Sequence, residues 1–343
     1  MSKVKKIGVL ITGLILLVTV LNWELVNYGI IQGKGQLNIV LNARPITECL
    51  EDSLLSDTVK SRLRLVQEIK KYCTDSLLLE SGGGYEKLFD QKGKPGMWVV
   101  TGAEAFKLKS YHWSVPLLGT FTYKGFFDKR KAVDFKAELM ANGYDADISK
   151  VNAWSTLGWF KDPVMSSMLK YSEGRLARVL IHEITHFNIF VKNDITYNEN
   201  LASFIGNIGA EKFLKDKFGP NSKELLNLKV FLEDMELFTD YMIKESKNLE
   251  SFYSSIQNTD STSKTKHKRA KIESIILGLC DLPFKNLKLP DNLVAQMNQI
   301  NNTFFTDFLT YKKQSKSMLL DFENNHNSCV NSFIEQQKKQ HGI

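Results

Sequence analysis

Two histidines four residues apart, His182 and His186, enclose Glu183 in the run His182-Glu183-Ile184-Thr185-His186, an HExxH pattern. On a helix, positions i and i+4 share a face, so both imidazoles point the same way and can grip one divalent metal. Zinc held by three protein ligands, with a fourth position open, is the usual catalytic arrangement. Glu183 lies about 100° round the helix from His182, placed to take a proton from water and not to act as a ligand. Thirteen residues after His186 comes Glu199, the candidate third ligand, with Asp194 or Glu211 as substitutes. One zinc ion is the expected cofactor. The plain alternative is that two of the six histidines are satisfied core residues on a buried helix face.

The elements that must position these groups are legible beside them. Leu176, Val179, Leu180, Ile184 and Phe187 recur at spacings of three and four, the pattern of a half-buried helix. Asn193-Asp194 breaks that pattern, and Thr196 or Asn198 is expected to cap a second helix running to about residue 217. Ala202, Gly206, Gly209 and Ala210 would let its backbone lie close to the first helix, with Glu199 in its opening turn facing the metal.

Composition narrows the rest. The chain has 343 residues and a formal net charge of +7, with lysines dispersed and no zinc-finger, RNA-recognition or helix-turn-helix signature. No nucleic-acid partner is expected. None of Cys49, Cys73, Cys280 and Cys329 forms a CxxC pair, and buried free thiols are preferred to a Cys49–Cys73 disulfide. Lys3, Lys5 and Lys6 precede an uncharged run, residues 7–23, of about membrane-spanning length. The expectation is a signal anchor or signal peptide over residues 1–26, with the following domain exported to the periplasmic or extracellular side.

Residues 27–42 read as a glycine-containing juxtamembrane stretch, and 57–73 as an amphipathic helix. Short strands are expected at 97–100, 121–127 and 143–148, with a helix over 134–142. The aromatic segment 151–162 reads as core beneath the metal helix. An edge strand there or at Phe121 would align an extended peptide. Residues 223–249 form a long helix, followed by a polar run at 257–268. The basic cluster 264–271 reads as a solvated loop and helix start, and 291–320 and 328–339 as further helix.

With these residues in view, the chain resembles the bacterial putative aminopeptidase family, HExxH zinc proteins usually exported and membrane-attached. The likeness rests on Gly35-Gln36-Leu37, Ala43-Arg44-Pro45-Ile46, Val66-Gln67-Glu68-Ile69 and Tyr123-Lys124-Gly125-Phe126-Phe127. It continues through the segment 153–163, Met168-Leu169-Lys170-Tyr171, the HExxH run, Val191-Lys192-Asn193-Asp194, Asn198-Glu199-Asn200-Leu201-Ala202-Ser203-Phe204, and Asn301-Asn302 with Tyr311. The resemblance implies zinc ligands at His182, His186 and Glu199, Glu183 as general base, and a peptide substrate. Family members are often lipoproteins, and no cysteine stands here at a lipid-attachment position. Nor is there the Gly-x-Met-Glu-Asn loop with which many zinc aminopeptidases hold the substrate amine.

The fold expected is α+β and zincin-like: a small mixed part over 27–170 and a mainly helical part over 171–343 carrying the metal site. Tyr123, Tyr171 and Tyr311 are candidates to stabilise an oxyanion, and Asn198 to orient a ligand. Two other readings are a membrane-anchored binding or scaffolding protein with a structural or vestigial metal site, and a zinc endopeptidase.

Overall fold

The computed structural model describes residues 5, 7, 19–115, 119–151, 161–192, 194–290, 293–306, 308 and 315–342. Helix α1 (Trp23–Asn42) leads into a two-residue strand, β1 (Arg44–Pro45), and a short helix, α2 (Ile46–Glu51). Helix α3 (Asp57–Leu77) starts where the Ser56 hydroxyl accepts the Val59 amide, and ends at Leu78 in the left-handed region. Its stripe of Leu63, Val66, Ile69, Cys73 and Leu77, at helical spacing, is fully buried.

Then come β2 (Lys87–Phe89), β3 (Met97–Glu104), the hairpin of β4 (Trp113–Val115) and β5 (Gly119–Phe121), and β6 (Tyr123–Phe126). Helix α4 (Lys129–Ala141), strand β7 (Tyr144–Val151) and strand β8 (Val164–Met165) close the mixed part. Beyond it the described chain is helical. It contains α5 (Glu173–Asn188), α6 (Ile195–Phe218), α7 (Lys223–Ser255) and α8 (Ser261–Cys280), then α9 (Thr303–Thr306), α10 (Ser315–His326) and α11 (Val330–Gln340).

Strand β3 is the centre of an antiparallel sheet ordered β6-β3-β7. Alternation places Val100, Phe126 and Ala146 on the face that packs against Ala132 and Leu139 of α4. Tyr123 and Gly125 therefore point to the opposite face. A second small sheet, β1-β2-β8, lies in the main apolar core. That core gathers Leu63, Ile69, Leu180, Ile181, Ile205 and Phe333, so it draws on residues both before and after 170. Cys49 and Cys73 are buried in it as free thiols, and burial pushes the Cys73 thiol up to about 12.

Several expectations need correcting. Residues 27–42, read from sequence as a glycine-containing stretch, are helical and form most of α1. Tertiary contact overrides the glycines: Tyr28 Oη and Gln32 Nε2 donate to the Gly125 carbonyl at 3.0 and 2.8 Å, and Gly35 sits directly against the Phe127 ring. The run 121–127 divides at Thr122 into β5 and β6. The basic cluster 264–271 lies wholly inside α8, and the described part of 291–320 holds turns, the short α9 and the first half of α10 instead of one continuous helix. Among the described residues no helix is long and apolar enough to cross a membrane. Most of the lysine-flanked run 7–23, and the aromatic segment 152–160, lie outside the described residues.

The helical part is docked to the sheet by a buried polar knot. Lys268 Nζ donates to Asp145 Oδ2 at 2.5 Å, and the Asn302 amide donates to the same oxygen at 2.8 Å. Asn302 Nδ2 donates to the carbonyls of Glu104 and Ala105 at 2.8 and 3.0 Å, while its Oδ1 accepts from Tyr253 Oη at 2.6 Å. Removing that amide would strand several buried groups, each costly to leave unpaired. Asn302→Ala is expected to lower stability by about 2–4 kcal/mol in urea denaturation. A loss below about 0.5 kcal/mol would show that the knot does not dock the two parts.

Candidate metal centre

Helix α5 is begun by Ser172, whose hydroxyl accepts the Arg175 amide. It buries Leu176, Ala177, Leu180, Ile181 and Ile184 on its core side. It ends at Asn188, whose Nδ2 donates to the carbonyls of Ile184 and Glu80 at 2.8 and 2.7 Å. The chain reverses, and Asp194 caps α6 by accepting the Tyr197 amide at 2.9 Å. The cap is thus neither Thr196 nor Asn198. Asn198 instead binds the reversal itself, its Oδ1 accepting from Val191 N and its Nδ2 donating to Val191 O, both at 2.8 Å. That two-way clasp closes the reversal immediately before Glu199.

Helix α6 then runs back along α5 at very short range. A Cβ added to Gly206 would lie 2.9 Å from the Arg178 carbonyl oxygen and 3.2 Å from His182 Cβ. One added to Gly209 would press on Ile181 and Leu77 at 3.1 Å. The absent side chains let the backbones meet, and this carries Glu199 to the two imidazoles.

His182 Nε2 and His186 Nε2 lie 3.2 Å apart. Glu199 reaches both, Oε2 to His182 Nε2 at 3.5 Å and Oε1 to His186 Nε2 at 3.4 Å. The side chains of His182, His186 and Glu199 are 18, 4 and 35% exposed. Burial pushes the Glu199 carboxyl up, but the hydrogen-bonded imidazoles outweigh it and hold the group well below the usual carboxylate range. His182, His186 and Glu199 form a group able to hold a metal ion. Donors about 2.0–2.1 Å from one tetrahedral zinc lie about 3.3 Å from each other, so the observed spacings fit that ion. Two imidazoles and a carboxylate are also a donor set of catalytic zinc sites.

Around the triad, Ser203 Oγ lies 3.4 Å from His182 Nδ1, while His186 Nδ1 is buried with no hydrogen-bond partner among the described residues. Glu183 is half-buried, one residue past His182 on α5. Tyr123, 52% exposed on β6, is near enough to feel Glu199. Crowding by surrounding chain, and then that negative charge, hold its phenol above the usual range.

The structure does not bring the other candidates to the triad. Tyr171 precedes α5, about 16 Å along the axis from His182, and carries the Arg175 guanidinium on its ring at 4.2 Å. Asp194 is spent on the cap. Glu211 lies about 18 Å further along α6 than Glu199. Tyr311 lies outside the described residues. Sequence reasoning gave Ser203 no role at the site, and missed the Arg178–Asn207 pair, joined at 2.6 Å through Nε and Oδ1. The available signal was spacing: Glu199, Ser203 and Asn207 recur every four residues, as do Arg178, His182 and His186.

A family profile described as "Putative aminopeptidase" matches residues 27–342. No curated protein and no solved structure matches the chain.

Gly206→Ala is expected to cost about 1–3 kcal/mol by chemical denaturation, since a backbone oxygen must give way to the new methyl. Unchanged or raised stability would contradict the close approach of α5 and α6.

Proposed function

Because the chain belongs to the putative aminopeptidase family, we propose that it is a zinc-dependent peptidase that removes residues from the N-termini of peptides. The observation that carries this reading is the meeting of His182, His186 and Glu199, whose nearest side-chain atoms lie within 3.5 Å of one another; Glu183 follows His182 on the same helix. His182, His186 and Glu199 would hold the ion. Zinc in such a site supplies Lewis acidity, polarising a carbonyl and making water a better nucleophile near neutral pH.

The chain's own groups do the rest. Glu183 accepts the proton of the attacking water and delivers it to the leaving amine. A tyrosine phenol is protonated at neutral pH, and burial and then the Glu199 charge shift Tyr123 further that way. Its phenol can thus donate to the oxygen on which negative charge develops. Asn198 acts indirectly, by clasping Val191 and fixing where Glu199 begins.

The sheet edge supports terminal cleavage. An extended peptide aligns on a free edge through backbone hydrogen bonds. On β6 the outward carbonyl of Gly125 is already taken by Tyr28 and Gln32 of α1. Tyr123, near enough to feel Glu199, remains as a pairing position on that edge, a short grip suited to a terminal residue. The apolar run 7–23 belongs to the proposal as a membrane anchor, supported by Lys3, Lys5 and Lys6 before it. Full-length chain should sediment with membranes and residues 27–343 should not. Both in the soluble fraction would end the anchor reading.

Purified protein is expected to carry about one zinc per chain and to cleave free N-terminal peptides while sparing their N-acetylated forms. Glu183→Gln should keep zinc and fold and lose at least about 10²-fold in kcat. Undiminished turnover in that variant would sink the mechanism. Equal cleavage of acetylated peptides would make the protein an endopeptidase, and zinc without any cleavage would favour a binding role.

A further inference from the structure

Arg178 stands on α5 one turn before His182, on the same side of the helix as both histidines. Its Nε donates to Asn207 Oδ1 at 2.6 Å, and Asn207 is one turn beyond Ser203, which sits on His182. The guanidinium plane is therefore fixed by the same pair of helices that builds the metal centre. Its two terminal nitrogens make no hydrogen bond among the described residues, and they are not sealed in the interior.

No carboxylate pairs with Arg178 among the described residues, although the chain pairs other arginines readily. Arg62 meets Glu173 at 2.6 Å and Arg44 meets Asp52 at 2.9 Å. Burial, and then the positive charge of Arg175, lower the Arg178 pKa from its ordinary value. A partly desolvated cation without an anion is costly, and the chain retains one about 6 Å along the helix from a metal ligand. Asn207 takes only the Nε, leaving the forked pair of terminal nitrogens, which matches a carboxylate in two-point contact.

We infer that Arg178 is a specificity-determining residue that binds a carboxylate of the peptide being cleaved. The inference rests on the peptidase reading above. One helical turn corresponds to about two residues of extended chain. The carboxylate therefore lies within about two residues of the scissile bond. It is supplied by the C-terminus of a very short peptide or by an acidic side chain near the bond.

The test uses the full-length, zinc-loaded protein and pairs of short peptides. One pair has a free or an amidated C-terminus. The other is amidated and carries Glu or Gln beside the scissile bond. Wild type should favour the carboxylate-bearing member of at least one pair about tenfold or more in kcat/KM, chiefly through KM. The pair that shows the preference identifies the source. Arg178→Gln should bring that ratio close to one, and Arg178→Lys should restore part of it, which a purely structural role would not do. Indifference to both pairs in wild type, or a preference that survives in Arg178→Gln, overturns the inference while leaving the peptidase intact. A wild type that cleaves nothing overturns the peptidase reading and this inference together.

Discussion

The contact on which the rest of the molecule depends is the near touching of two helix backbones at Gly206. With only hydrogens there, α6 approaches α5 until the Arg178 carbonyl and the His182 side chain occupy the space a methyl would need. That approach allows a carboxylate on one helix to reach two imidazoles on the other. A wider crossing would leave Glu199 short of His186 and the triad without a common centre. Core packing of Leu180, Ile181, Leu201 and Ile205 reinforces the approach, and the Asn198 clasp decides at which residue α6 begins.

The sheet is held to the helical part by polar contacts that are as particular as the apolar ones. Asp145 on β7 gathers Lys268 and the Asn302 amide, and Asn302 ties Tyr253 to the end of β3. At the other edge, α1 bonds to Gly125 of β6. The strand bearing Tyr123 is thus fixed by β3 on one side and α1 on the other, so the phenol keeps its place near Glu199. Arg178 extends the same logic beyond the triad, because Asn207 holds it from the helix that delivers Glu199.

The helix carrying His182 and His186 was legible because its apolar residues keep a 3.6-residue period independent of the motif. The stripe of Ala202, Gly206, Gly209 and Ala210 announced the close approach, and the position of Glu199 followed. Other features were not legible, for physical reasons. Thr196 and Asn198 looked like caps, but which polar residue caps a helix depends on where the reversal is pinned, and Asn198 does the pinning. Helix α1 was obscured by Gly29, Gly33 and Gly35, whose local cost is offset by contacts with a strand about 90 residues away. Strands β1, β2 and β8 are two or three residues long, and only their pairing defines them. Tyr123 could not be told from Tyr171 by type or neighbourhood in sequence, because sheet register and helix direction separate them.

The most direct measurement is anomalous diffraction at the zinc absorption edge from crystals of the purified protein. One peak is expected about 2.0–2.2 Å from His182 Nε2, His186 Nε2 and a Glu199 oxygen. A zinc peak held by other residues, or none in crystals grown with zinc, would contradict the metal centre and the mechanism built on it.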